Sequence, residues 1–265
     1  MPVVAPVVKG FIDLLKGLAA YELWTFLGWQ DIRQRYRRTI LGPWWLAIST
    51  GFLVIGLGFL WSEIFRVDVH SFLPFFVIGY VLWMFFSGVI SEACVGFIQF
   101  EGLIKQQRIP FSAYLYRISV RHLIMLGHNS VVAIVIVLWS GPVWSPNNLL
   151  VIPGLVVFLG SILMMSVPVA ILCTRFRDMP QAITTVLPTA FFFTPIFWRP
   201  DTLDKFRWVA DYNPLAHLID VVRMPLLGIA PGINVWSWSL STLAISMAGG
   251  AWLLGRYGHR LAYWL

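Results

Sequence analysis

Six stretches of the 265-residue chain are almost entirely apolar, and more polar segments separate them. A helix needs about 20 apolar residues to cross the core of a bilayer. The pattern therefore predicts an all-α integral membrane protein with transmembrane helices over residues 44–64, 72–97, 118–139, 149–173, 181–198 and 236–254. Most of the segments between them are short connections, and the longest is 199–235.

The fifth apolar stretch differs from the others because it is short and contains Pro188 and Pro195. Its 18 residues would span about 27 Å as a helix, slightly less than a bilayer core. Proline-interrupted membrane helices bend where they line a pathway. A kinked helix with a purely structural role fits the same pattern, so both interpretations stay open.

An arginine-rich segment precedes the first stretch. Its apolar residues Trp29, Ile32, Tyr36 and Ile40 would share one face of a helix, and its basic residues are Arg33, Arg35, Arg37 and Arg38. The segment ends at a tryptophan pair, which is typical of a helix in the membrane interface on the cytoplasmic side. Upstream, residues 11–18 predict a short amphipathic helix rather than a cleaved signal peptide.

The long segment 199–235 contains two amphipathic pieces, 206–210 and 215–227, which are too polar to cross a bilayer. They predict two short interfacial or re-entrant helices. We therefore expect one transmembrane domain, with an N-terminal amphipathic region at 1–43, a six-span region at 44–256 and a tail at 257–265.

Composition and charge support a membrane protein and give its orientation. The chain is 58% hydrophobic and only 12% charged, about half the charged fraction of soluble domains. Its formal net charge of +7 fits anionic lipid headgroups better than nucleic acid, because the basic residues flank apolar stretches. The first four connections carry one, four, no and two basic residues, an alternation that places both termini in the cytoplasm.

Motifs for catalysis or nucleotide binding are missing from the sequence. No Gly-Lys pair occurs, so the chain has no P-loop, and any ATP and magnesium would be bound by another polypeptide. We expect no cofactor on this chain and no enzymatic activity of its own. Cys94 and Cys173 lie in apolar stretches and indicate neither a disulfide nor a metal site.

Three polar residues inside the apolar stretches are candidates for a functional role. Glu92 is the only acid well inside a span, and it either serves transport directly or pairs with Arg117 or Arg121. His128 and Asn129 indicate either an interhelical hydrogen bond, which is the commoner arrangement, or a proton relay.

Aromatic residues are abundant, and they cluster in the fifth stretch at Phe191, Phe192, Phe193, Phe197 and Trp198. Aromatic faces stack on the C–H faces of sugars and leave the hydroxyl groups hydrated, which suits a sliding polymer. A lipid-facing role explains each of these residues individually as well.

Six segments, in order along nearly the whole chain, resemble one family: the membrane subunits of ABC exporters for O-antigen, capsular polysaccharide or teichoic acid. The matching segments are DIRQRYRRTILGPWW (31–45), EGLIKQQRIP (101–110), TRFRDMPQAITTVLP (174–188), FFFTPIFW (191–198), NPLAHLIDVVRMPLLG (213–228) and RYGHRLAYWL (256–265). Each segment alone is a weak match, whereas all six in order are specific.

The resemblance implies a homodimer in the bacterial inner membrane that pairs with two P-loop ATPase subunits and carries a lipid-linked polysaccharide outward. It implies an ATPase-coupling helix that includes Glu101, Leu103, Lys105, Gln106 and Arg108. Substrate headgroups would meet the interface helix at Arg33, Arg35, Tyr36, Arg37 and Arg38. A cytoplasmic joint would contain Arg175, Arg177 and Asp178.

The resemblance also implies a channel and a gate. The candidates for lining the channel are Phe52, Phe59, Phe191, Phe192, Phe193, Phe197 and Trp198. The candidates on the gate helices are Phe206, Leu215, Leu218, Val222 and Leu226.

Three other functions compete with this hypothesis. An ABC exporter of lipids or drugs shares the six-span plan. An ion-coupled secondary transporter would need more charges within the membrane and usually internal repeats, which are not evident here. A membrane-embedded glycosyltransferase would need a paired-carboxylate motif such as DxD, which the sequence lacks.

Overall fold

The computed structural model describes residues 4–202 and 207–265, and within these ranges the chain is helical without any strand. Its eleven α-helices are α1 (Val4–Ala19), α2 (Tyr21–Arg35), α3 (Trp44–Phe65), α4 (Val69–Gln99), α5 (Glu101–Gln106), α6 (Phe111–Trp139), α7 (Val151–Arg175), α8 (Met179–Phe193), α9 (Arg207–Asp211), α10 (Pro214–Leu226) and α11 (Ile233–Trp264). Short 3₁₀ turns occupy Pro146–Leu150 and Pro200–Thr202.

Helix α4 lies at the centre of the bundle. It packs against α3, α5, α6, α7, α8 and α10. Because neighbours pack around it, α4 buries most of its residues, from Phe72 near its start to Phe97 near its end, and one stripe with Tyr80, Met84 and Ser91 is half-buried. Such a predominantly apolar helix is the expected core of a membrane bundle.

The bundle has two ends with different structures. At one end lie α1, α5, the first turns of α6, which contact α1 and the N-terminal part of α2, and the last turns of α7 and α11. At the other end, side chains tie the connections together: Asn147 and Asn148 donate to the carbonyls of Gly228 and Pro225 at 3.0 and 2.8 Å. The predicted orientation makes the first end cytoplasmic.

Four helical segments are both long and apolar enough to cross a membrane: Trp44–Phe65, Val69–Gln99, Phe111–Trp139 and Pro146–Arg175. They coincide with the first four predicted spans. Helix α8 has only 15 residues, about 23 Å of helix. Helix α11 is long enough at 32 residues but is less apolar. The total of six crossings therefore remains a prediction.

Several predicted boundaries are wrong. The interface helix ends at Arg35, because Arg38 and Gly42 adopt positive φ angles of 68° and 54°, and Ile40 is consequently 99% exposed. Helix α6 starts at Phe111, seven residues before the predicted 118, and therefore includes charged residues that were expected in a loop.

Two further boundaries differ at the ends of the later helices. Helix α8 ends at Phe193 instead of continuing to 198, since the segment containing Pro195 leaves the helical path. Helix α11 continues through the predicted tail to Trp264. The tail is thus part of the bundle's last helix.

Candidate functional site

A network of charged side chains joins α2, α4 and α6. Asp31 of α2 accepts two hydrogen bonds from Arg117 of α6, from Nε at 2.8 Å and from Nη2 at 2.6 Å, in a bidentate pair. Arg121, one turn further along α6, donates to the same carboxylate at 3.3 Å and also pairs with Glu92 of α4. His122 Nε2 donates to Glu92 at 2.7 Å.

The network confirms one of the pairings that the sequence left open. Glu92 does pair with Arg121, while Arg117 pairs with Asp31 instead. The side chains are only 12–21% exposed, so the charges compensate one another in a largely dry environment. Because its members come from three helices, the network fastens the interface helix to the centre of the bundle.

Two glycines provide the close contacts that this network requires. A Cβ at Gly88 would lie 2.5 Å from the ring of His122, so a larger residue there would displace the imidazole. A Cβ at Gly28 would lie 3.1 Å from the carbonyl oxygen of Arg117, which reflects the tight packing of α2 on α6.

Beside the network is a polar cavity of about 420 Å³ within the bundle. Its polar lining comes from the end of α2 and from α4 and α6, namely Arg35, Tyr36, Ser87, Ser91, His122 and Asn129. Hydroxyl, amide and guanidinium groups in a membrane bundle are typical of a functional site. The cavity can therefore hold an anionic or hydroxyl-rich group.

Asn129, next to this cavity, makes the interhelical hydrogen bond that the sequence suggested. Its Oδ1 accepts from the hydroxyl of Thr50 on α3 at 3.1 Å. His128 donates instead to the carbonyl of Ile124 within its own helix at 2.7 Å, and its ring lies 5.1 Å from that of Trp44.

The structure separates the arginines of the interface segment. Arg35 lines the polar cavity, whereas Arg33 and Arg37 line a different surface groove with Phe26 and Trp29. Arg38 is exposed in the turn that follows the helix. Burial beside the cavity raises the pKa of Tyr36 above its ordinary value, so the phenol stays a hydrogen-bond donor at neutral pH.

The short helix α5 presents a charged surface at the same end of the bundle. Leu103 is half-buried against the apolar core, while Lys105 and Gln106 are exposed. The helix ends at Gln106 because Gln107 is extended, so Arg108, expected within the coupling helix, lies exposed in the segment that follows it. Lys105 Nζ lies 2.5 Å from Glu101 and holds the pKa of that carboxyl below its usual range, with a smaller contribution from Arg177.

Arg177 also ties the predicted joint to the last helix. Its Nη2 donates to the carbonyl of Trp264 at 3.0 Å, so the connection between α7 and α8 contacts the C-terminal end of α11. Arg175 lies over the ring of Trp264 at 5.1 Å, and Asp178 is exposed.

At the opposite end, side chains at the start of α10 and within it donate hydrogen bonds to backbone carbonyl groups where α8 ends. Because the helix stops at Phe193, the following carbonyls have no partner within a helix, and a bilayer offers no water to replace it. Asn213 donates to the carbonyl of Phe193 at 3.2 Å, and Arg223 donates to that of Pro195 at 2.7 Å. Arg223 is 1% exposed and pairs with Asp220.

Sequence reasoning did not assign a role to Arg223. Its guanidinium also lies 3.8 Å from the centre of the Phe75 ring. The signal in the sequence was a basic residue in an otherwise apolar amphipathic piece, next to the proline-broken stretch.

The aromatic cluster of the fifth stretch extends to two other helices. Phe191 lies 5.5 Å from Phe197, and Phe192 lies 5.6 Å from it. Tyr80 and Trp83 of α4 and Trp61 of α3 complete the cluster, with ring separations of 5.4–6.2 Å from Phe191 or Phe197.

The predicted channel residues differ in exposure. Phe52, Phe59, Phe192 and Phe193 are exposed, at 79%, 48%, 61% and 57%. Phe191 and Phe197 are half-buried, while Trp198 is only 6% exposed and donates to the carbonyl of Phe192.

The predicted gate residues lie mostly inside the fold. Leu218 and Val222 of α10 are buried, Leu215 is half-buried and Leu226 is 37% exposed. Phe206 lies outside the described residues. Helix α10 packs against α4, α7 and α11.

Within residues 4–202 and 207–265, no cluster of three or more histidine, cysteine, aspartate or glutamate side chains is arranged to hold a metal ion. Cys94 and Cys173 are buried, free thiols.

Comparison with known proteins identifies the family. The ABC-2 type transporter family matches residues 22–227. An O-antigen export system permease protein RfbA of Klebsiella pneumoniae is 24% identical over 204 residues, which cover 75% of this chain and 78% of that protein. A protein of the same name from Myxococcus xanthus is 22% identical over 251 residues, covering 88% and 95% of the two chains.

The family match includes the interface helix from Glu22 onward, the charged network, α5 and all of α10. The long apolar helices agree with a multi-pass membrane protein of this kind. This chain belongs to the ABC-2 type transporter family and is an ABC transporter permease.

Proposed function

We propose that the chain is the permease subunit of an ATP-driven exporter that moves a lipid-linked polysaccharide from the cytoplasmic to the outer face of the bacterial inner membrane. Two copies would assemble with two P-loop ATPase subunits, which would bind ATP and magnesium. The names of the similar proteins support polysaccharide export. The observation that carries the proposal is α5, an exposed charged helix between two long membrane helices.

Coupling to the ATPase would start at the exposed side chains of α5. This helix directly connects α4 and α6, so a displacement of α5 acts on both. Both of these helices contribute to the network around Asp31, which reaches the interface helix. A movement driven by ATP hydrolysis would therefore change the position of α2 relative to the bundle.

The second copy would pack against α3 and α8. These helices have large exposed apolar surfaces, and Leu187 is the sole buried residue of α8. In the dimer, α8 of one copy and α3 of the other would line the channel. The aromatic rings there would stack on sugar faces without binding any one sugar tightly.

The lipid-linked headgroup would enter beside the end of α2. Arg35 and Tyr36 are at the polar cavity, where a guanidinium can pair with a phosphate and a phenol can donate a hydrogen bond. On the outer side, α9 and α10 would form the gate, since α10 caps the broken end of α8.

Charge reversal on α5 and on the segment directly after it tests the proposed docking surface. Lys105→Glu with Arg108→Glu is expected to abolish co-purification of the ATPase subunit, because two exposed cations would become anions at the contact. The matched control is Arg66→Glu with Arg207→Glu, which makes the same charge change at the opposite end and should leave the complex intact. A complex that survives the α5 double variant overturns the assigned docking site.

The exported substrate is tested by deleting the gene and measuring the surface polysaccharide of the cells. We expect the glycan to be lost from the surface and its lipid-linked precursor to accumulate inside. Normal surface glycan with altered drug tolerance would instead favour an exporter of drugs or lipids.

A further inference from the structure

We infer that a pocket between α7 and α11 binds the headgroup of an anionic phospholipid. The pocket has a volume of about 390 Å³ and lies where α7 ends and the last turns of α11 pass it. Its basic side chains are Arg175 and Arg260, and its aromatic ones are Phe176, Trp252, Tyr257 and Trp264. This site is separate from α5, from the polar cavity and from the aromatic cluster of α8.

The charges in this pocket are not compensated by carboxylates of the residues that the structure describes. Among the described residues, neither Arg175 nor Arg260 forms an ion pair with a carboxylate, in contrast to the arginines of the Asp31 network. Both side chains are exposed. Two guanidinium groups facing one pocket give a positive potential that selects an anion, and guanidinium pairs well with phosphate.

The aromatic walls hold Arg175 in place. Arg175 lies 5.1 Å from the centre of the Trp264 ring and 5.9 Å from that of Phe176. Tyr257 packs against Trp264 with ring centres 5.7 Å apart. These contacts restrict the side chain of Arg175 near the pocket, so less conformational entropy is lost when a phosphate binds.

Position relative to the membrane favours a lipid over a soluble anion. The apolar helix α7 ends at Arg175, so the pocket lies at the depth where a span meets the headgroup region. Toward the centre of the membrane from the arginines, the pocket lining continues with Leu172 and Trp252. These side chains are 39% and 37% exposed and face the acyl-chain region. Basic pockets between membrane helices commonly bind anionic headgroups, and acyl chains would cover this apolar wall.

The test measures lipid binding to the purified full-length chain in detergent micelles by native mass spectrometry. Dioleoylphosphatidylglycerol and dioleoylphosphatidylcholine are titrated separately. The wild-type chain should retain phosphatidylglycerol more strongly than phosphatidylcholine. Arg260→Gln should weaken this preference about fivefold, and the double variant with Arg175→Gln about 25-fold, since each arginine contributes separately.

The matched control is Lys16→Gln with Arg256→Gln. It removes the same net charge, and Arg256 lies one helical turn before Arg260 but outside the pocket lining. The control should keep the preference for phosphatidylglycerol. If both double variants lost the preference for phosphatidylglycerol equally, the site would be overturned, because the lipid would then respond only to the net charge of the protein.

Two further outcomes would also overturn the inference. Displacement of phosphatidylglycerol by an equal concentration of inorganic phosphate would show a site for a free anion. A change in oligomer mass in the Arg175→Gln, Arg260→Gln variant would show that the pocket is a protein interface. Binding to this pocket is independent of what the exporter carries, so failure of one proposal leaves the other intact.

Discussion

At the residue scale, the arrangement of charges around Asp31 shows how a membrane bundle accommodates arginine. Arg117 and Arg121 are one turn apart on α6, and the carboxylate of Asp31 accepts hydrogen bonds from both. Glu92 and His122 complete the set on the other side of Arg121. Burying these cations is tolerable because each has a hydrogen-bonded partner of opposite charge.

We predict that Asp31→Asn lowers the stability of the chain by about 2–4 kcal/mol. It leaves the largely buried guanidinium of Arg117 without a negative partner, whereas Arg121 keeps its pair with Glu92. The midpoint of thermal unfolding in detergent measures the effect. Glu22→Gln is the matched control, because Glu22 is an exposed acid of the same helix without an ion pair in the described structure. Equal midpoints for both variants would show that the network adds no stability.

The sequence predicted some of these contacts and not others. A charged residue inside an apolar stretch needs a partner of opposite charge. Arg121 is therefore a candidate ion-pair partner of Glu92, because the sequence predicts both near the cytoplasmic end of the bundle. Asp31 is 86 positions away from Arg117, in the arginine-rich segment, and the sequence pattern assigns it no partner. Only the packing of α2 on α6 shows that its side chain points at Arg117.

At the element scale, small residues determine how α1 packs against α11. A Cβ at Gly255 would lie 1.7 Å from the carbonyl oxygen of Pro6, and one at Gly10 would lie 1.8 Å from that of Ala251. The two backbones are therefore in direct contact, as in the small-residue interfaces of membrane helices. This contact places α1 beside the last helix.

We predict that Gly255→Ala destabilises the chain by about 1–3 kcal/mol, because the methyl group meets backbone atoms that cannot move independently. Gly249→Ala is the matched control on the same helix, with open space around its Cβ, and should be neutral or raise stability by up to about 1 kcal/mol. Thermal unfolding together with protease sensitivity of α1 measures both. Identical behaviour of the two variants would argue against the tight contact.

Helix positions were easier to predict than helix ends. The apolar pattern located α3, α4 and α7 closely, since each is a long run that a bilayer would accept. The ends of α2 and α8 were wrong because a turn at Arg38 and a break at Pro195 depend on local backbone geometry. The break at Pro195 is stabilised by donors from α10, which no local pattern reveals.

At the scale of the whole molecule, the two ends of the bundle have different chemistry. One end has the exposed cations of α5, the interface arginines and the α7–α11 pocket, while the other has the connections that α10 holds together. The positive-inside rule places the first end in the cytoplasm. Both this orientation and the six crossings remain predictions.

Cysteine labelling tests this topology. Ile233→Cys should react with a membrane-impermeant maleimide in intact cells, whereas Gln107→Cys and His259→Cys should react only after permeabilisation. The native Cys94 and Cys173 are 1% and 0% exposed, so they should contribute little background. Labelling of His259→Cys in intact cells would contradict six crossings with both termini inside.

The sequence by itself determined the class of the protein, the helices of the bundle and the basic end, because apolar length and charge asymmetry are properties of the linear chain. The order of its motifs also indicated the family. Only the tertiary structure decided which charges pair, where α8 breaks and which arginines share a cavity. Those features depend on contacts between residues far apart in the chain, such as Asp31 with Arg117 and Arg223 with Pro195, and packing alone brings them together.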